Sequence, residues 1–170
     1  VASRGLGDVY KEDILAGNAG ANTLIGGLGD DVYIVTDKLD TLIEQNGQGT
    51  DTVGSIIDYT LLTHFENLIL IEGAGNINGT GNNADNIIWG NEGVNTMRGG
   101  LGDDIYHVGA GDVVIEFNNQ GDNDTVVASV SWTLGNFIEN LILDEEAGDI
   151  NGTGNSLNNL MFLLLYTSDA

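Results

Sequence analysis

The chain of 170 residues has no cysteine and no proline, only four lysines and arginines together, and two histidines. Without cysteine there is neither a disulfide framework nor a thiolate metal centre, although the cellular compartment is left open. With Arg4, Lys11, Lys38 and Arg98 as its only basic side chains against 26 acids, the chain carries a formal charge of −22. It has no basic face for phosphates, which excludes nucleic acid as a natural partner. The only histidines, His64 and His107, have no ligand-spaced companions, so a zinc site is disfavoured. Each is read as a surface or strand side chain. There is no G-x-S-x-G, no phosphate-binding glycine loop and no thiol nucleophile, so no catalytic constellation is legible. "LMFLLLY" near the end is too short to span a bilayer, and no signal peptide is recognisable.

What the chain has in excess is glycine, 26 residues, and asparagine, 20 residues. Enough Val, Ile and Leu accompany them to pack a core, so this turn-rich composition belongs to a folded chain. "GGLGDDVYIV" at Gly26–Val35 returns as "GGLGDDIYHV" at Gly99–Val108, 73 positions later. The same shift matches "GNAGANTLIGG" (17–27) with "GNEGVNTMRGG" (90–100), and "FENLIL" (65–70) with "IENLIL" (138–143). "INGTGN" recurs unchanged at 77–82 and 150–155, while the register slips by one residue near "TDKLD" and "GAGD" and then recovers. The chain is thus two long repeats, 12–84 and 85–162, forming a single architecture over 12–162. Residues 1–11 and 163–170 fit neither period. They are expected to be non-native flanks, and the chain a piece of a longer one.

Within each long repeat runs a period of nine, G-G/N-x-G/A-x-N/D-x-U-x, where U is apolar: Leu24, Tyr33, Ile88, Met97 and Tyr106. Six turn residues, with glycine where positive φ or close backbone approach is required, precede a three-residue strand whose middle side chain points inward. So short a strand buries nothing alone and is stable only when stacked on another. Two nonamers make one flattened turn of a spiral, one out and one back, which predicts an all-β fold: a parallel β-roll or β-helix solenoid. Segments outside the nonamers, such as "TVGSIIDYTLL" (52–62) and "TVVASVSWTLG" (125–135), are expected to continue the spiral with longer coils.

The sixth nonamer position holds Asn22, Asp31, Asp51, Asn86, Asn95, Asp104 and Asp124, and the fifth holds Asp30, Asp85 and Asp103. One turn offers too few oxygens for a cation, but two stacked turns supply about six, which suits Ca²⁺ better than Mg²⁺. The nonamers resemble the calcium-binding repeats of RTX (hemolysin-type) proteins, whose signature is G-G-x-G-x-D-x-U-x. That resemblance implies a parallel β-roll with Ca²⁺ between turns on the same edge, in secreted, extracellular proteins exported by type I secretion. Carried over residue by residue, it points to Gly26, Gly27, Gly29, Asp30 and Asp31 and to Gly99, Gly100, Gly102, Asp103 and Asp104. The loops ending in Asp51 (with Gly49) and Asp124 lie on one side of these turns, those ending in Asp13 and Asn86 on the other. Because Asn supplies an oxygen but no charge, two to four ions are expected, not a full row.

The functional expectation is a calcium-binding structural module of a secreted protein, monomeric and non-catalytic, that folds on Ca²⁺ binding after export. Two alternatives stand beside it. One is an adhesion or carbohydrate-binding module contacting extracellular polysaccharide or a cell surface; the other is the accessory region of a secreted hydrolase or alginate epimerase.

Overall fold

The computed structural model describes residues 3–4, 12–144 and 148–164. Among them there is no helix; every element is a short strand, and every pairing is parallel. One nine-stranded sheet runs the length of the molecule: β2 (Ile14–Ala16), β4 (Val32–Val35), β6 (Thr52–Ser55), β8 (Asn67–Leu70), β10 (Ile87–Trp89), β12 (Ile105–Val108), β14 (Thr125–Ala128), β16 (Asn140–Asp144) and β18 (Leu160–Leu164). The return strands form shorter ladders on the opposite side. The first joins β1 (Ser3–Arg4), β3 (Thr23–Ile25) and β5 (Thr41–Ile43). The second joins β7 (Tyr59–Thr60), β9 (Gly79–Thr80), β11 (Thr96–Arg98) and β13 (Val113–Val114), and the third β15 (Trp132–Thr133) and β17 (Gly152–Thr153). This is the parallel β-roll that the nonamer period requires.

Strand register gives the length of each coil. Ile14 pairs with Val32, Val32 with Thr52, Thr52 with Asn67 and Asn67 with Ile87, so the coils are 18, 20, 15 and 20 residues long. The same four lengths then repeat through Ile105, Thr125, Asn140 and Leu160. The 73-residue period is therefore four coils. Only the 18-residue coil is a pair of nonamers. The expectation of longer coils elsewhere holds for the 20-residue coils and fails for the 15-residue one. In the first 15-residue coil the first bend is cinched by Ser55, whose Oγ accepts the Ile57 N–H at 3.2 Å and donates to the Ile57 carbonyl at 2.8 Å; the equivalent position of the second is Ala128. The second bend is tightened by left-handed backbone at His64 (φ 73°), repeated 73 residues on at Phe137 (φ 62°). His64 thus sits in a turn, whereas His107 is a strand residue whose ring stacks on Trp89 at 5.0 Å.

The core is a file of side chains, one per coil. Leu15, Tyr33, Val53, Leu68, Ile88, Tyr106, Val126 and Leu141 stand in register along the long sheet, each essentially without solvent contact. Leu24, Leu42 and Met97 close the file from the return strands, and Phe65 packs edge-on against Tyr33 at 5.1 Å. Of the two flanks set apart by sequence, residues 1–2, 5–11 and 165–170 lie outside the described residues. Ser3–Arg4 pairs with Leu24–Ile25, and residues 163–164 extend β18.

Stacked turns approach so closely that a Cβ on Gly49 would overlap the Gly29 carbonyl one coil below. The same contact recurs between Gly121 and the Gly102 carbonyl. Gly49→Ala is expected to cost about 1–3 kcal/mol, or roughly 2–10 °C in Tm, because neither backbone can yield without opening the ladder. A thermal melt in saturating calcium measures it; an unchanged Tm would show that the turns are not in contact.

Candidate metal centre

Along one edge of the roll, a single side chain immediately precedes each strand of the long sheet: Asp13, Asp31, Asp51, Glu66, Asn86, Asp104, Asp124, Glu139 and Asn159. The nonamer places its sixth residue there because the six-residue turn ends where the strand begins. These corner residues bond from coil to coil. The N–H of Asp13 donates to Asp31 Oδ1 (2.7 Å), that of Asp31 to Asp51 Oδ1 (2.9 Å), and that of Asp51 to Glu66 Oε2 (2.8 Å). In the second long repeat, Asn86 donates to Asp104 Oδ1 (2.7 Å), Asp104 to Asp124 Oδ1 (2.8 Å) and Asp124 to Glu139 Oε2 (2.9 Å).

This ladder uses one oxygen each of Asp31, Asp51, Asp104 and Asp124, and at three of them it leaves the other bare. Asp31 Oδ2, Asp104 Oδ2 and Asp124 Oδ2 are buried without a hydrogen-bond partner, as is Glu116 Oε2. They converge with neighbours into two clusters, Asp31–Glu44–Asp51 and Asp104–Glu116–Asp124, in each of which the carboxylate oxygens lie within 4.8 Å of one another. A buried carboxylate with no donor and two like charges beside it is costly. Burial, reinforced by the neighbouring acids, pushes Asp51 and Asp124 up to about 7 and Asp104 up to about 8. Burial likewise raises Asp31 and Glu116 above their ordinary values.

Glu44 and Glu116 are the residues that sequence reasoning missed. Each follows a return strand, at the turn position where the nonamer below has Gly26 or Gly99. A Cβ on either glycine would collide with the aspartate Oδ2 (Asp31 or Asp104) and with the tyrosine hydroxyl (Tyr33 or Tyr106). One coil up, a glutamate reaches into that space. The Tyr33 hydroxyl donates to Glu44 Oε2 and accepts from the Gly26 N–H at 2.6 Å. The Tyr106 hydroxyl donates to Glu116 Oε1, which also accepts the Gly99 N–H at 3.2 Å. The signal was present as "LIE" at 42–44 and "VIE" at 114–116, a repeat offset by 72 that the one-residue slip conceals.

The structure brings Asp31 with Asp51 and Asp104 with Asp124, as the stacked nonamers predict. Gly27, Gly29, Gly100 and Gly102 supply the left-handed backbone of the turns. Asp30 and Asp103 lie outside the clusters, exposed, their Oδ1 atoms accepting N–H groups of the next coil: Thr50 (2.8 Å) for Asp30, and Asp122 (3.2 Å) and Asn123 (3.1 Å) for Asp103. Asn86 is fully engaged: its Oδ1 accepts the Asn82 N–H (2.7 Å), and its amide donates to the carbonyls of Phe65 (3.2 Å) and Glu66 (3.1 Å). An asparagine at a corner therefore closes a turn by itself.

The opposite edge differs in kind. Asp112 Oδ1 accepts the Asn95 N–H at 2.8 Å and its Oδ2 the Gly109 N–H at 2.8 Å. Asp40 is similarly served by Asn22, Thr36 and Asp37. Burial alone would raise Asp40, but these bonds outweigh it and hold it below the usual carboxylate value. Buried acids on that edge are saturated by the backbone; those of the two clusters are not. The orphaned oxygens, the all-oxygen donor set and the excess of charge fit a hard divalent cation, and Ca²⁺ above others.

A family model described as the RTX calcium-binding nonapeptide repeat matches residues 11–35 and 80–115, in four copies. Among curated proteins, the endo-1,3-1,4-beta-glycanase ExsH of Rhizobium meliloti (strain 1021) is 41% identical over 86 residues, covering 50% of this chain and 18% of the relative. The endo-1,3-1,4-beta-glycanase EglC of the same organism is 39% identical over 70 residues, covering 40% of this chain and 14% of the relative. No solved structure matches the chain. The chain therefore spans under a fifth of either glycanase. The matched segments coincide with the stacked Gly/Asp turns, and in those segments this β-roll carries RTX calcium-binding nonapeptide repeats.

Proposed function

We propose that residues 12–162 form one calcium-folded structural module of a secreted, extracellular protein, made of two units (12–84 and 85–162), monomeric, and exported by type I secretion. RTX repeats bind calcium, and as a repeat module the chain is non-catalytic. In this reading Asp31, Glu44 and Asp51 hold one ion and Asp104, Glu116 and Asp124 another. Gly26, Gly27, Gly29, Gly49, Gly99, Gly100 and Gly102 shape the turns, while Asp30, Asp103 and Asn86 tie coils together. Two ions is the lower end of the two to four expected from sequence. The observation that carries the proposal is the set of buried carboxylate oxygens without partners, aimed into two clusters on one edge.

Bound Ca²⁺ supplies positive charge to oxygens that the protein leaves bare. The chain's own residues position those oxygens: Asp Oδ1 atoms are pinned by N–H groups of the coil below, and the glutamates by tyrosine hydroxyls. With a formal charge of −22, compaction without cations costs self-repulsion. An ion that binds only the folded chain adds stability by mass action, and modular extracellular sites bind at about 10⁻⁴–10⁻³ M. The module is therefore expected to be only marginally folded at low calcium and fully ordered outside the cell. Titrating Ca²⁺ against far-ultraviolet circular dichroism of the intact chain tests this. Strand signal rising with calcium supports it, and the same signal in excess chelator overturns the coupling.

The names of the relatives favour one version of the parent, a glycan-acting secreted hydrolase of which this roll is an accessory region. Binding of the isolated chain to a β-glucan, judged by co-sedimentation, separates a glycan-contacting module from a purely structural one.

A further inference from the structure

We propose that the two carboxylate clusters are unequal, that Asp104–Glu116–Asp124 holds the tighter ion, and that Glu116, positioned by Tyr106, makes the difference. This rests on the calcium reading above and goes beyond the repeat: the family match ends at residues 35 and 115, so Glu44, Asp51, Glu116 and Asp124 all lie outside it.

The inequality is visible atom by atom. In the second cluster every member presents an orphaned oxygen, Asp104 Oδ2, Glu116 Oε2 and Asp124 Oδ2, and all three residues are buried. Glu116 Oε1 accepts from the Tyr106 hydroxyl and the Gly99 N–H, and the Phe117 N–H also faces the carboxylate, while Oε2 is buried without a hydrogen-bond partner. In the first cluster only Asp31 has such an oxygen. Glu44 is half-buried and uses both of its own, Oε2 for the Tyr33 hydroxyl and Oε1 for the Gln45 N–H at 3.1 Å. An ion at the first cluster competes with water around the half-buried Glu44 and with donors on both of its oxygens; at the second, each of the three residues presents a buried oxygen without a hydrogen-bond partner. Preorganised, desolvated oxygens bind a cation more strongly than oxygens already satisfied.

Site occupancy is read by Tb³⁺ luminescence, sensitised by Tyr33 and Tyr106, which contact the two clusters. Ca²⁺ competition against Tb³⁺ on the full chain is expected to resolve two steps. Glu116→Gln should abolish or weaken the tight step about a hundredfold, and Tyr106→Phe, read by equilibrium dialysis of Ca²⁺ because it also removes the sensitising phenol, should weaken it about tenfold. Glu44→Gln should leave the tight step in place and affect the weaker one. Far-ultraviolet circular dichroism in excess calcium confirms that each variant is folded, and Tyr106→Phe carries the test should Glu116→Gln fail to fold. A single step with two equivalent ions would overturn the inequality while leaving the calcium reading intact. So would loss of the tight step in Glu44→Gln. No bound ion in equilibrium dialysis of the wild type would overturn both.

Discussion

Asp104→Asn is expected to stabilise the protein in chelator and to lose that advantage in calcium. The side chain has no solvent contact, its Oδ2 has no partner, and burial with the nearby Asp124 and Glu116 raises it to about 8. At pH 7 without calcium, folding must either protonate it or bury the charge. At about 1.4 kcal/mol per pH unit above its ordinary value, this costs on the order of 2–4 kcal/mol. Asparagine removes the cost and keeps the ladder, since its Oδ1 accepts the Asn86 N–H as the carboxylate does. Asparagine already stands at Asn86 and Asn95, where its Oδ1 accepts an N–H of its own turn (Asn82 at 2.7 Å, Asn91 at 2.9 Å) and its amide donates to carbonyls of the preceding coil, at 3.1 Å to Glu66 and 2.7 Å to Ile77. In calcium this advantage is offset. An ion present at a hundred times its Kd contributes about 2.7 kcal/mol to the wild type, most of which is lost with a ligand. The variant's Tm should therefore lie about 5–10 °C above wild type in chelator, a lead that closes to within a few degrees in saturating calcium. A Tm lowered under both conditions would show that Asp104 serves only the turn.

The contrast between these corners explains what was legible in the sequence. The nonamer fixes local geometry and recurs, so the strands, the inward file of Leu15, Tyr33, Ile88 and Tyr106, and the stacking of Asp31 beneath Asp51 could all be read from spacing. The 15-residue coil could not, because its second bend rests on left-handed backbone at His64 and at Phe137, which has no compositional signature. Glu44 and Glu116 escaped for a different reason. They occupy a turn position that is glycine in the nonamers, and their significance appears only when coils of unequal length are superposed. Nor does spacing reveal saturation. Asp112 and Asp104 look alike as acids in glycine-rich turns, yet one has both oxygens bonded to N–H groups and the other has one bare. That difference lives in the folded backbone, and it confines the proposed ions to one edge.

Without calcium, the roll should gain stability on acidification, opposite to the usual behaviour of carboxylate-rich proteins. Asp51 and Asp124 are raised to about 7 and Asp104 to about 8, from an unfolded value of 3.8, with Asp31 and Glu116 raised as well, all chiefly by burial. Between about pH 4 and 8 the folded chain thus binds more protons than the unfolded one, and stability falls as pH rises through that window. Asp40, held below its ordinary value, contributes in the opposite sense, but only below the window. In chelator, the Tm at pH 5 should exceed that at pH 8.5 by about 10 °C or more, since several raised groups act together. Calcium must displace the retained protons, so its affinity should rise over the same range. Binding near pH 7 should release protons, measurable by titration calorimetry in buffers of different ionisation enthalpy. A chelated protein whose Tm is flat from pH 5 to 8.5, with no proton release on binding, would mean that these carboxylates are already ionised and solvated. The bare oxygens could not then be what draws the ion in.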